Sequence, residues 1–116
     1  MTLRSVRFLA LLLAASAHAD QPRLQCDIGP VTRIFGSVRW FVFGCSDGES
    51  LVLLSPPDSP ASPFYFVLSP DGKRYKLKGD GAEPNATTEA ARKELEALSP
   101  SDIRGLLREA HLADKH

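Results

Sequence analysis

Between Trp40 and Lys78 the chain gathers most of its large apolar side chains into short runs separated by turn formers, and that spacing constrains the fold more than any other feature. The breaks fall at Ser46-Asp47-Gly48 and Pro70-Asp71-Gly72, where Asp can hydrogen-bond its own backbone and Gly accepts a positive φ. Strands joined in sequence by tight turns make an antiparallel meander. Arg74, Lys76 and Lys78 alternate with Tyr75 and Leu77, the period of a strand with one face in water and one on a core. The run Phe64 to Leu68 has no polar face. It is expected to be a central strand covered on both sides, with Phe64, Phe66 and Leu68 on one and Tyr65 and Val67 on the other. The second cover must come from the C-terminal helices or from a partner.

Val38 to Gly44 reads as a strand with Val38, Trp40 and Val42 facing one way and Arg39, Phe41 and Phe43 the other. Leu51 to Leu54 continues the sheet. Upstream, Val31 to Phe35 is a short strand between breaks at Gly29-Pro30 and Gly36-Ser37, and Leu24 to Ile28 is a candidate first strand. Ser55 to Pro63 carries Pro56, Pro57, Pro60 and Pro63. Proline fixes φ and gives no donor to a ladder, so this is a stiff loop, serving either as a spacer or as a rigid surface for a partner.

From Gly79 to Asn85 the pattern changes from strand to helix. Asn85 or Thr87 can cap a helix reaching about Leu98, with Ala91, Leu95 and Leu98 on one stripe. Asn85-Ala86-Thr87 also matches the short N-glycosylation acceptor pattern. Ser99 caps a second helix with Pro100 at its first position and Asp102 at its third, and Ile103, Leu106, Leu107 and Ala110 form its apolar face. Gly105 costs that helix about 1 kcal/mol unless something packs closely there. Residues from Asp114 to His116 are expected to fray. The fold class expected is α+β: an antiparallel β-meander of four or five strands with two C-terminal helices packed on one face.

Residues 1–19 stand apart. Arg4 and Arg7, the apolar run Phe8 to Ala15 and the Ala17-His18-Ala19 pattern read as a signal peptide, giving a mature single domain of residues 20–116 that is periplasmic or secreted and has no membrane span. Without Arg4 and Arg7 the balance is 12 Lys and Arg against 14 Asp and Glu, a formal charge of −2. A chain so close to neutral lacks the basic field that a polyanion needs, so no nucleic-acid partner is expected. Lys73, Arg74, Lys76 and Lys78 form one local basic ridge, suited to solubility, to edge protection or to a partner surface. In an oxidising compartment Cys26 and Cys45, the only cysteines, are expected to form a disulfide. Such a crosslink contributes roughly 3 kcal/mol if unstrained.

Chemistry is sparsely provided for. The mature chain has two histidines, His111 and His116, both near its end, and no nucleophile-elbow, phosphate-loop or calcium-loop pattern. No catalytic residue, cofactor or metal site is expected. Phe43-Gly44-Cys45-Ser46-Asp47-Gly48, Leu51-Val52-Leu53 and Asp71-Gly72-Lys73-Arg74-Tyr75-Lys76-Leu77 together resemble the opening strands of the small secreted β-barrel inhibitors of C-type lysozyme, which likewise place a disulfide cysteine before an acidic-glycine turn. The resemblance covers under half of the mature chain and implies a barrel and an inhibitory loop. Here Gly79-Asp80-Gly81-Ala82-Glu83-Pro84 leads into helices where that family's loop would stand, so no inhibitory residue carries over. The expected function is a non-catalytic binding or envelope-associated protein whose partner is a protein or envelope component. The candidate surface is Pro56, Pro57, Pro60 and Pro63 with the ridge from Lys73 to Lys78. A secreted enzyme inhibitor and a small extracytoplasmic enzyme are the alternatives.

Overall fold

Alternation becomes five strands and the two capped periods become two helices. A computed structural model describes residues 23–114. The expected signal peptide, the cleavage point before Asp20, and Lys115 and His116 lie outside the described residues. In chain order the elements are β1 (Ile28–Phe35), β2 (Val38–Gly44), β3 (Leu51–Leu54), β4 (Phe64–Asp71), β5 (Arg74–Gly81), α1 (Ala86–Glu96) and α2 (Pro100–Asp114). The strands form one sheet in sequence order, each antiparallel to the next. The sheet is open, with β1 and β5 at its edges, so the barrel implied by the lysozyme-inhibitor resemblance does not form.

Register puts one apolar layer inward. Val42 stands opposite Leu53 and Leu53 opposite Phe66, while Gly44, Leu51, Leu68 and Leu77 make the next row. Trp40, Leu51, Leu53 and Phe66 are fully buried there together with Leu95 of α1 and Ile103 of α2. Trp40 and Phe64 both tilt against Phe66, with centroids at 5.3 and 5.1 Å, an edge-favouring geometry for aromatic rings. The Trp40 indole N–H donates to the Phe35 carbonyl at 3.0 Å, so its polar atom is satisfied inside the core.

Both helices start as their sequences dictate. Asn85 Oδ1 accepts from the Thr88 N–H while Thr88 Oγ1 accepts from the Asn85 N–H, a reciprocal capping box. Ser99 and Asp102 repeat the exchange at the start of α2. Ala91 and Leu95 of α1, and Ile103, Leu106 and Ala110 of α2, are buried. The link from Ala97 to Ser99 is too short to carry the chain around the sheet, so both helices lie on the same side.

Five expectations are corrected. Leu24 to Ile28 is not a strand: only Ile28 joins the sheet, opposite Gly44, and the ladder is irregular between Ile28 and Val31. Gly29-Pro30 is therefore an irregularity within β1 and not a turn, since an edge strand tolerates the missing proline donor and Gly29 adopts a φ of 111°. β5 runs past Lys78 to Gly81, because Gly79 opposite Phe66 leaves room for the Phe64 and Phe66 rings. Asp114 does not fray; it is helical, and its carboxylate accepts from the Gly29 N–H at 3.1 Å. Finally, β4 is covered on its Phe64, Phe66 and Leu68 face alone.

The N-terminal arm is nevertheless fixed. Cys26 and Cys45 form a disulfide, the Gln25 N–H donates to Ser46 Oγ, and the Ser46 N–H donates to the Gln25 carbonyl.

Candidate functional site

Among the described residues, no helix covers the outward face of the sheet. Phe41, Leu54 and Tyr65 form one row across β2, β3 and β4, and Phe43, Val52 and Val67 form the next. Leu54 is 43% and Tyr65 39% exposed, with the other four half-buried by their neighbours, and Ile34 on β1 extends the patch at 66%. An open antiparallel face ordinarily alternates to polar residues. Here all six central positions are apolar. Ser69, Lys76, Lys78 and Asp80 border the patch on the β5 side, where Lys78 stands opposite Val67 and the Tyr65 hydroxyl donates to Asp80 at 3.4 Å. On the β2 side Arg39 lies 3.5 Å from Asp58, an exposed pair that contributes little energy but leaves little free charge.

A second feature lies at the other end of the helix layer, a cleft of about 470 Å3 between the Gly44 end of the sheet and α2. Its floor is Ile28, Gly44 and Cys45, and Leu107 and Leu112 wall it. Leu112 is 63% exposed. Arg104, Arg108 and His111 stand at its mouth, spaced i, i+4 and i+7 along one side of α2. Among the described residues, no carboxylate, hydroxyl or free thiol lines it.

The expected partner surface divides. Pro56 is buried and Pro57, Pro60 and Pro63 are exposed. Their loop is held down by Ala61 in the core, by Ser55 Oγ accepting from the Phe64 N–H, and by Asn85 Nδ2 donating to the Pro60 carbonyl. The loop is therefore pinned to the fold, with Pro57, Pro60 and Pro63 at its surface. The same bond occupies the Asn85 amide, as does its role in capping α1. Lys73 and Arg74 sit at the β4–β5 hairpin tip, while Lys76 and Lys78 lie on the outer face beside the apolar patch. The structure thus joins two of the four basic residues to an apolar surface and separates them from the prolines. Sequence reading missed the patch because it assigned a cover to Tyr65 and Val67. The i, i+4, i+7 spacing of Arg104, Arg108 and His111 was the available signal for the cleft.

Electrostatics on the β2–β3 loop are structural in character. Burial pushes Asp47 up, but bonds from the Ser50 hydroxyl and from the Glu49 and Ser50 N–H groups outweigh it, and its carboxyl ends below its ordinary 3.8. Tyr75 is raised by burial and by the charge of Glu49, whose carbonyl accepts its hydroxyl at 3.0 Å. Among the described residues no group of three or more His, Cys, Asp or Glu could hold a metal ion, and no helix is long and apolar enough to cross a membrane. No family model, curated protein or solved structure matches the chain.

Proposed function

We propose that this is a non-catalytic binding protein of a periplasmic or secreted compartment, and that the outer face of its sheet takes a protein partner. The observation that carries this reading is the unbroken apolar patch from Phe41 to Val67, which the helix layer leaves bare. Contiguous exposed apolar surface on a small domain favours association over solvation. Charge narrows the partner. Among the described residues Lys76 and Lys78 make no ion pair, whereas Arg39 at the opposite border is matched by Asp58. The complementary surface is an apolar strip edged by carboxylates on the side that meets β5. An enzyme inhibitor is the narrower form of this reading, in which the partner is an enzyme.

A photo-crosslinking residue at position 54 tests the surface, with one at the exposed Glu96 of the helix layer as control. Position 54 is expected to trap one discrete protein species, with capture lost when the exposed neighbour across the ladder is changed by Tyr65→Asp and weakened by salt, while the thermal midpoint stays near that of the parent. Trapping of the same species from both positions, or of a second copy of this chain only, overturns the reading. The compartment is tested separately by intact mass: the exported protein should lack its first nineteen residues.

A further inference from the structure

From the cleft at the Gly44 end of the sheet we infer a second binding site, independent of the outer sheet face, that takes a small amphiphile consisting of one apolar chain and an anionic head. Its volume of about 470 Å3 falls within the roughly 300–1,000 Å3 of small-molecule sites. The lining is mostly apolar because Ile28, Leu107 and Leu112 contribute carbon surface there and Cys45 is closed in a disulfide. Gly44 leaves the floor bare between Ile28 and Leu107, where an added Cβ would lie 3.6 Å from one and 3.7 Å from the other. The disulfide keeps Cys45 from presenting a thiol. The apolar lining reaches solvent at Leu112, an exposed leucine in the last turns of α2 that would otherwise cost hydration.

The head is assigned by charge. Arg104 and Arg108 are successive turns of one helix face, both exposed, and neither pairs with a carboxylate among the described residues. His111 continues the row toward Leu112. Asp27 beside Ile28, Asp47 and Glu49 on the β2–β3 loop, and Glu109 and Asp114 on α2 are acids close in sequence to the lining; Asp47 is engaged by Ser50, Glu109 pairs with Arg33, and Asp114 accepts from the Gly29 N–H. None of the five lines the cleft. Two guanidinium groups above an apolar slot can hold a carboxylate or phosphate by charge-assisted hydrogen bonds while its chain lies along Ile28 and Leu107. A cationic or neutral head gains nothing from this arrangement.

The probes are decanoate, decyl phosphate and decyltrimethylammonium, each below its aggregation limit, added to the processed protein and followed by backbone amide NMR shifts. Both anionic probes are expected to bind with shifts confined to Ile28, Gly44, Gly48 and residues 104–112, and the tighter of the two identifies the head as carboxylate or phosphate. The cationic probe should bind about ten-fold more weakly or not at all. Arg104→Ala with Arg108→Ala should weaken decanoate by about ten-fold with the thermal midpoint kept, because both side chains are exposed. Leu112→Asp should do the same through the chain. Equal binding of cationic and anionic probes overturns the inference, as does an absence of shifts, or shifts centred on Leu54 and Tyr65. The last two outcomes leave the protein-partner reading of the outer face untouched, since its own test uses neither the cleft nor these probes.

Discussion

Two glycines show how a single residue type takes opposite signs. Gly36 lies in the two-residue turn between β1 and β2, with a φ of 62° followed by 68° at Ser37, the positive pair that a tight hairpin turn requires. A Cβ there would lie 2.5 Å from the Ala91 nitrogen and 2.9 Å from the Thr87 carbonyl oxygen, so the turn rests directly on the α1 backbone. Glu94 fixes it by accepting from the Gly36 N–H. Gly36→Ala is expected to cost more than about 2 kcal/mol, since both the conformation and the helix contact must yield. Gly105 is the converse. Its added Cβ would meet only Arg108 Nη2 at 3.7 Å, so the close packing that could have justified a glycine inside α2 is absent. Gly105→Ala should raise stability by about 0.5–1 kcal/mol. Urea titration of the two variants checks both signs, and a destabilised Gly105→Ala protein would contradict the open space beside that residue.

At the scale of the element, α2 has two separate jobs on two faces. Ile103, Leu106 and Ala110 are buried in the core, and Arg33 of β1 reaches Glu109 at 2.7 Å, tying the helix to the edge strand. Arg104, Arg108 and His111 face the cleft and solvent. Leu106→Ala is expected to lower stability by about 2–5 kcal/mol, because the cavity forms beneath a helix held on both sides, whereas Arg108→Ala should leave the denaturant midpoint unchanged. An unchanged midpoint in Leu106→Ala would mean that α2 does not close the core. The starts of both helices were legible beforehand because a cap is a local event: Ser99 and Asp102 find each other three residues apart. The start of β1 was not legible. Whether Gly29-Pro30 turns the chain or merely disturbs a strand depends on β2, with which the residues on either side must pair.

Across the whole molecule, acid stability follows from carboxylates used as backbone acceptors. Asp102 is lowered by the Ser99 N–H and hydroxyl, and Asp47 is lowered because the bonds from Ser50 and Glu49 outweigh its burial. A folded-state value below the ordinary 3.8 means that each contribution is fully present above that pH and is lost as the pH falls through the folded value. The urea midpoint should therefore hold from neutrality down to about pH 5 and fall below about pH 4. In the Asp47→Asn, Asp102→Asn double variant it should start lower at neutral pH and fall less steeply in acid. An acid slope equal to the parent's would place the responsible carboxylates elsewhere.

Composition and periodicity by themselves determined the antiparallel meander, the inward and outward sets of β2, the two helix starts and the Cys26–Cys45 pairing, because each rests on alternation, local hydrogen bonding or the lack of any other cysteine. The tertiary structure decided what those patterns could not contain. An apolar strand face looks the same in sequence whether it is buried or bare, so Tyr65 and Val67 read as covered until the short Ala97–Ser99 link placed both helices over Phe64, Phe66 and Leu68. The cleft was equally hidden, since Gly44 and Cys45 are some sixty positions from Arg104 and Arg108. Distances along the chain fix which elements form; only the packing of one element on another decides which surfaces remain.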